Sequence, residues 1–171
     1  MDLRFQGVVC RSGFGAVAKG ISLSHRVPLK GVSTLDAIVH TAVSANPGSS
    51  VGRYFLPLVD ARKGELYCAL YQGTARRSEY MVLNPTELPG LTEAAMTLCG
   101  PGALPGRAAL EAAFGPRAVY APVEYPAPEQ VARLARFEIL AGRADDAASL
   151  APVYLRRTDA ELRRAAASLL P

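Results

Sequence analysis

The sequence predicts a mixed α/β domain whose sheet begins as an antiparallel meander and continues as parallel strands, with helices on both faces. Three observations point there. The stretch Leu56-Pro-Leu-Val-Asp-Ala-Arg-Lys-Gly-Glu-Leu-Tyr-Cys-Ala-Leu-Tyr71 sets two apolar runs around a charged tetrad, Ala61-Arg-Lys-Gly64, which is the pattern of a β-hairpin. On its second arm Leu66, Cys68 and Leu70 share one face while Tyr67, Ala69 and Tyr71 share the other, so both faces are apolar and the hairpin belongs inside a covered sheet. After a third strand the chain alternates helix and strand to its end, as a parallel continuation requires.

In chain order, Gly7–Cys10 reads as a short buried strand. Phe14, Val17, Ala18, Ile21 and His25 then recur at helical spacing, giving a helix over Phe14–His25 with one apolar stripe, ended by Pro28. Gly15 and Gly20 lower its propensity and permit close approach of another helix. Leu29–Val32 is a short strand, and Ser33 is a natural N-cap for a helix over Thr34–Ala45. Asn46-Pro-Gly-Ser-Ser50 is a loop and the best boundary, dividing the chain into residues 1–50 and 51–171.

Strands follow at Tyr54–Asp60, Glu65–Gln72 and Ser78–Leu83, with Gly64 supplying a positive φ at the hairpin tip. Pro85–Gly90 turns, Met96–Cys99 is a strand, and Gly100-Pro-Gly102 leads into a helix over Pro105–Phe114. Ala118–Ala121 is a strand. Glu129–Gly142 is a helix with Val131, Leu134, Phe137 and Leu140 inward, ended by Gly142. Pro152–Arg156 is extended, and Thr158-Asp-Ala-Glu161 has the form of a capping box opening a terminal helix with Leu162, Ala166 and Leu169 on one side. Three strands followed by alternating helix and strand is the element order of the ribonuclease-H-like fold, which actin, Hsp70 and sugar kinases carry in two copies. Residues 7–45 match only the second half of such a copy, so the sequence predicts one complete lobe and a partial first lobe.

Half of the 171 residues are hydrophobic, enough for one core; 15 Gly and 13 Pro keep the elements short, and the absence of Trp leaves that core to Ala, Leu and Val. No apolar stretch approaches the ~20 residues of a membrane span, and the first residues lack the layout of a signal peptide, so a soluble cytoplasmic protein without membrane contact is expected. Cys10, Cys68 and Cys99 are odd in number and sit in apolar runs, as small buried hydrophobes of a reducing compartment do. There is no Cys-x-x-Cys, and His25 and His40 have no ligand spacing, so no metal is expected. The net charge of +4 comes as scattered pairs, Arg76-Arg77, Arg156-Arg157 and Arg163-Arg164, which suits ordinary surface charge as well as an acidic or RNA-bearing partner.

Candidate chemistry is sparse. Gly100-Pro-Gly102 at a strand-to-helix turn is a candidate phosphate cradle, but no Lys-Ser or Lys-Thr follows it, and a plain turn outweighs that reading. Asp60 and Glu65 at the hairpin tip are a candidate carboxylate pair; capping the turn or pairing with Arg62 and Lys63 is the blander assignment. No Gly-x-Ser-x-Gly elbow or His/Asp constellation serves a nucleophile. No catalytic residue is assigned.

Four blocks occur in order: Ala18-Lys-Gly-Ile21, Val27-Pro-Leu-Lys-Gly-Val-Ser-Thr-Leu-Asp-Ala37, Leu56-Pro-Leu-Val-Asp-Ala-Arg-Lys-Gly-Glu-Leu-Tyr67 and Leu150-Ala-Pro-Val-Tyr-Leu-Arg156. Over residues 15–157 the chain resembles the TsaB (YeaZ) family, the bacterial partner subunit in tRNA threonylcarbamoyladenosine synthesis. The resemblance implies an actin/Hsp70-like fold and a non-catalytic scaffold. Such a scaffold pairs with a TsaD-like catalytic subunit and a TsaE-like ATPase that together modify adenosine 37 of tRNA, and it meets tRNA only indirectly. It implies no cofactor. It also implies that the first lobe is truncated: family members carry a strand, a meander and a helix ahead of the equivalent of Cys10, and their Gly-rich loop is unrecognisable in Phe5–Gly13. In the family, first-lobe helices contact the catalytic subunit, which carries over to Ala16, Lys19, Gly20 and Leu23 on Phe14–His25. A relic nucleotide-binding ATPase or kinase of the same superfamily, and an inactive homo-oligomeric paralogue that hides its open lobe in a homodimer, are the alternatives.

Overall fold

The computed structural model of the chain describes residues 2–5, 8–45, 50 and 52–151. The expected extended segment at Pro152–Arg156 and the expected terminal helix lie outside these residues. Strands β1 (Asp2–Phe5) and β2 (Val8–Arg11) form a two-stranded antiparallel ribbon that leads into helix α1 (Ser12–His25), and helix α2 (Thr34–Ala45) follows. The main sheet contains β3 (Tyr54–Arg62), β4 (Glu65–Cys68), β5 (Tyr71–Gln72), β6 (Ala75–Arg76), β7 (Met81–Leu83), β8 (Met96–Cys99) and β9 (Ala118–Tyr120). Helix α3 (Arg107–Phe114) bridges β8 and β9, and helix α4 (Pro128–Leu140) follows β9.

The β3–β4 hairpin is the centre of the sheet. β3 pairs antiparallel with β4 on one side and parallel with β8 on the other; β4 pairs with β7 and β8 with β9. The spatial order is therefore third, second, first, fourth, fifth strand, with the first three antiparallel and the last two parallel. That is the ribonuclease-H-like sheet expected from the element order. The hairpin closes through Lys63 (φ 56°) and Gly64 (φ 79°), both left-handed as a two-residue type I′ turn needs.

One proline divides the second strand of the hairpin. β4 and β5 share a single register against β3, in which Leu58 faces Cys68 and Phe55 faces Tyr71. The residue opposite Pro57 in that register is Ala69, where the strand is interrupted. Pro57 has no N–H to give to a ladder. Leu70 instead donates its N–H to Ser78 Oγ at 2.9 Å and accepts from the Arg77 N–H at 2.7 Å.

The two faces of the hairpin are covered as its alternation predicts. Tyr67, Ala69 and Tyr71 join Phe55, Val59 and Cys99 under Leu35, Ile38, Val39 and Ala42 of α2. Leu66, Cys68 and Leu70 join Leu56, Leu58, Met96 and Leu98 under Leu110 and Phe114 of α3. At about 25 cal/mol per Å² of apolar surface removed from water, these two layers are the main source of stability.

Two sequence expectations are corrected. Leu29–Val32 is not a strand: only Leu29 forms a bridge, with Asp145, because the Gly31 N–H goes to the Asp145 carboxylate at 2.7 Å instead of to a neighbouring strand. On α4, Phe137 and Leu140 face solvent, 67% and 73% exposed, because the helix lies against α2 through its other side and its first turn is pinned by Ala127 N–H to Thr41 Oγ1 at 2.9 Å. The α1 stripe, for which the sequence sets no burial, is open, with Val17 58% and Ile21 51% exposed; the helix contacts chiefly the β1–β2 ribbon. Gly142 (φ 74°) does end α4 as expected.

Candidate partner surface and polar cleft

The residues expected to meet a partner all lie on α1. Ala16, Gly20 and Leu23 are exposed, Leu23 at 61%, while Lys19 is half-buried. Positions 16, 20 and 23 follow one helical face, and Val17 and Ile21 widen it with further uncovered apolar surface. A methyl group at Gly20 would meet nothing within 4 Å, so the backbone is bare there and another helix has room to approach. Val27 extends the apolar surface beyond the helix end. Such a contiguous apolar face on a helix marks an interaction surface more often than an accident of composition.

The segment Leu29–Ser33, the start of α2 and α4 enclose a cleft of about 350 Å³, lined by Lys30, Ser33, Asp36, Tyr80, Leu134 and Glu138 among others. Asp36 sits in the first turn of α2, where its N–H approaches Ser33 Oγ at 3.5 Å and its carboxylate benefits from the helix N-terminus. That carboxylate accepts from Tyr71 Oη at 2.5 Å and from Tyr80 Oη at 2.8 Å. Burial raises both phenols, with the Asp36 charge adding to it; Tyr80, despite an opposing hydrogen bond involving Ser33, reaches about 12. Both stay protonated donors at neutral pH.

Asp145 closes the cleft from the other end. Its carboxylate accepts from Lys30 Nζ at 2.7 Å and from the Gly31 N–H at 2.7 Å, and its own N–H donates to Leu29 O at 2.8 Å. Burial works to raise the Asp145 carboxyl, but the Lys30 and Gly31 bonds outweigh it and hold the group below the usual carboxylate range. Glu138 is engaged by Arg143 in a two-pronged pair at 2.7 and 2.9 Å, which lowers its carboxyl as well. Each cleft carboxylate thus already has its partners, and the cleft works as a joint fastening the α1–α2 connection to the segment that follows α4.

The other candidates resolve into structural roles. Asp60 Oδ1 accepts the Arg62 N–H at 2.7 Å and caps the hairpin turn. Gly100-Pro-Gly102 packs on β3: Gly100 N–H donates to Val123 O at 2.6 Å and Gly102 N–H to Leu58 O at 2.8 Å. Gly100 (φ 96°) is required because a Cβ would lie 2.5 Å from Leu58 O. Those two N–H groups face backbone carbonyls, so this turn does not cradle a phosphate, and the nucleotide-binding alternative loses the one loop it rested on. His25 is exposed at the end of α1, whereas His40 is half-buried on α2, where burial lowers its pKa against the Asp36 charge. Cys68 and Cys99 are buried free thiols, pushed up to about 12 by desolvation. Among the described residues no three His, Cys, Asp or Glu side chains gather as metal ligands, and no helix is long and apolar enough to cross a membrane.

Sequence reasoning passed over Asp36, Tyr80 and Asp145. Ser33-Thr-Leu-Asp36 has the Ser-x-x-Asp form of a capping box and was a signal for Asp36; nothing local marks Asp145, whose partners lie more than a hundred residues away.

Residues 11–97 match the family described as TsaD: tRNA N6-adenosine threonylcarbamoyltransferase. The chain belongs to the TsaD family. Its fold is similar to that of YeaZ from Pseudomonas aeruginosa, with a TM-score of 0.67 and 23% identity over 88% of this chain and 71% of that one. The crystal structure of an uncharacterized protein with similarity to peptidase YEAZ from Pseudomonas aeruginosa superposes with a TM-score of 0.68 at the same identity and coverage. No curated protein matches the chain. Membership of the TsaD family and the YeaZ-like fold agree with the TsaB (YeaZ) resemblance drawn from the four sequence blocks.

Proposed function

We propose that this TsaD-family chain serves tRNA threonylcarbamoyladenosine synthesis as a non-catalytic scaffold, docking a TsaD-like catalytic subunit on the exposed face of α1. The observation that carries this reading is the uncovered apolar surface of Val17, Ile21 and Leu23 around the bare backbone of Gly20. An isolated domain gains nothing by holding Leu23 in water, whereas a partner helix covering it recovers about 25 cal/mol per Å². Ala16 and Gly20 let that helix come close, and Lys19 at the margin of the face suits an acidic rim. In this reading a TsaE-like ATPase joins through the catalytic subunit, and tRNA reaches the chain only through that assembly.

The test is co-purification of the full chain with a TsaD-like catalytic subunit. Wild type should co-elute. Leu23→Arg, at a position that leaves the core untouched, should abolish the complex, and Gly20→Leu should weaken it by blocking close approach. Failure of wild type to bind, or binding unaffected by both substitutions, refutes the scaffold reading. A self-associated chain that loses association with Leu23→Arg would assign the face to a homodimer instead.

A further inference from the structure

A second cavity, of about 200 Å³, lies on the α2 side of the main sheet, remote from α1. Its floor is Thr97 of β8, flanked in register by Phe55 of β3 and Val119 of β9. Ala42 of α2 forms part of its wall, with Ser50 beside it, and Arg53 stands at its edge. Met96 and Leu98 belong to the α3-side layer, so alternation turns Thr97 the other way, into this cavity.

Thr97 is 6% exposed, and its Oγ1 has no hydrogen-bond partner. A buried hydroxyl left without a partner is costly and rare, and a ligand, ion or water in the cavity would satisfy it. At about 200 Å³ the cavity far exceeds the roughly 30 Å³ share of one water in the liquid, and is wide enough for a group larger than one water. Arg53 is the one charge among the described residues that line it, and no carboxylate is among them. A guanidinium fork at the edge, a hydroxyl donor at the floor and apolar walls between them select a compact anion presenting two or more oxygens.

We propose that this cavity is a binding site for a small oxyanion, a carboxylate or phosphate group, that accepts from the Thr97 hydroxyl and pairs with the Arg53 guanidinium. The apolar walls from Phe55 and Val119 leave space for a short aliphatic portion on the ligand. This site is independent of the partner surface on α1.

The full chain titrated with sodium acetate and with inorganic phosphate, at ionic strength held constant with chloride, tests it by amide chemical shifts. A saturable shift at Thr97 and Val119 with either anion is expected. Acetate alone acting would assign a carboxylate, and both acting would assign a general oxyanion site. Arg53→Gln, at an exposed position, and Thr97→Val should each weaken binding about tenfold, the weight of one charge-assisted hydrogen bond. Thr97→Ser, which keeps the hydroxyl, should bind as wild type and guards against a folding defect in the valine variant. No saturable response to either anion, or affinity unchanged in Arg53→Gln and Thr97→Val, overturns the proposal. A valine variant that is merely more stable, with no anion effect in any protein, would show that water alone fills the cavity and overturns it equally.

Discussion

α1 and α2 are successive helices of similar length and similar small-residue composition, yet they end in opposite environments. α2 has Leu35, Ile38 and Val39 at 0% exposure, whereas α1 leaves Val17, Ile21 and Leu23 more than half exposed. Apolar periodicity is present in both, so periodicity does not decide which helix is buried. The difference lies in what each helix is fastened to. α2 lies across a seven-stranded sheet and is anchored at its first turn by two tyrosine hydroxyls on Asp36. α1 follows a two-stranded ribbon, and two strands alone offer too little apolar face to cover a helix. An amphipathic helix with no sheet beneath it is available to another chain.

The largest expected effect sharpens this contrast directly. Ile38→Ala should destabilise the fold by about 2–5 kcal/mol, since it opens a cavity between α2 and the sheet, while Leu23→Ala should stay within about 0.5 kcal/mol, as exposed positions do. Urea unfolding of the two variants side by side measures both; equal losses would mean that α1 is covered in solution.

Next in size is the anchor. Asp36→Ala leaves Tyr71 and Tyr80 without their acceptor, and an unmet buried hydroxyl costs about 1–3 kcal/mol. Thermal unfolding should show the loss, and ultraviolet titration should show the Tyr80 phenol ionising at lower pH once the neighbouring charge is gone. A variant as stable as wild type would remove the anchor from the explanation.

The smallest effect concerns the Lys30–Asp145 tie, which fastens the connection between the two helices. Asp145 has a lowered folded pKa, so its contribution is present above the ordinary carboxylate value of about 4 and is lost as pH falls through the folded value. Asp145→Asn should therefore be less stable than wild type at pH 7 by about 1 kcal/mol, the weight of a partly buried pair still screened by solvent. The gap should close in acid. A gap independent of pH would mean that the charge of Asp145 is irrelevant.

The parts of this fold legible in sequence are those whose physics is local. The alternation of Leu66, Cys68 and Leu70 against Tyr67, Ala69 and Tyr71 assigned both buried faces, and Gly64 and Gly142 marked a turn and a helix end at the residues where φ is positive. Misreadings arose where a distant residue intervened. Leu29–Val32 has strand composition, but Asp145 takes the backbone donor of Gly31. Phe137 and Leu140 have core spacing, but α4 is held by Thr41 with another side toward α2. β1 was missed although Asp2-Leu-Arg-Phe5 alternates polar and apolar residues as a strand does. Of the candidate surface, the four α1 positions were drawn from resemblance, and the structure adds Val17 and Ile21 beside them. The Thr97 cavity left no mark in the sequence, because a threonine in an apolar strand reads as an ordinary strand residue.

The anchoring of α2 also has a consequence in time. Asp36 waits for Tyr71 and Tyr80, made 35 and 44 residues later. At translation rates of about 5–20 residues per second, the helix emerges from the ribosome some seconds before the strands that cover it. During that interval Leu35, Ile38 and Val39 are as bare as the α1 face remains afterwards, so the nascent chain presents an adhesive helix face that the folded sheet later covers.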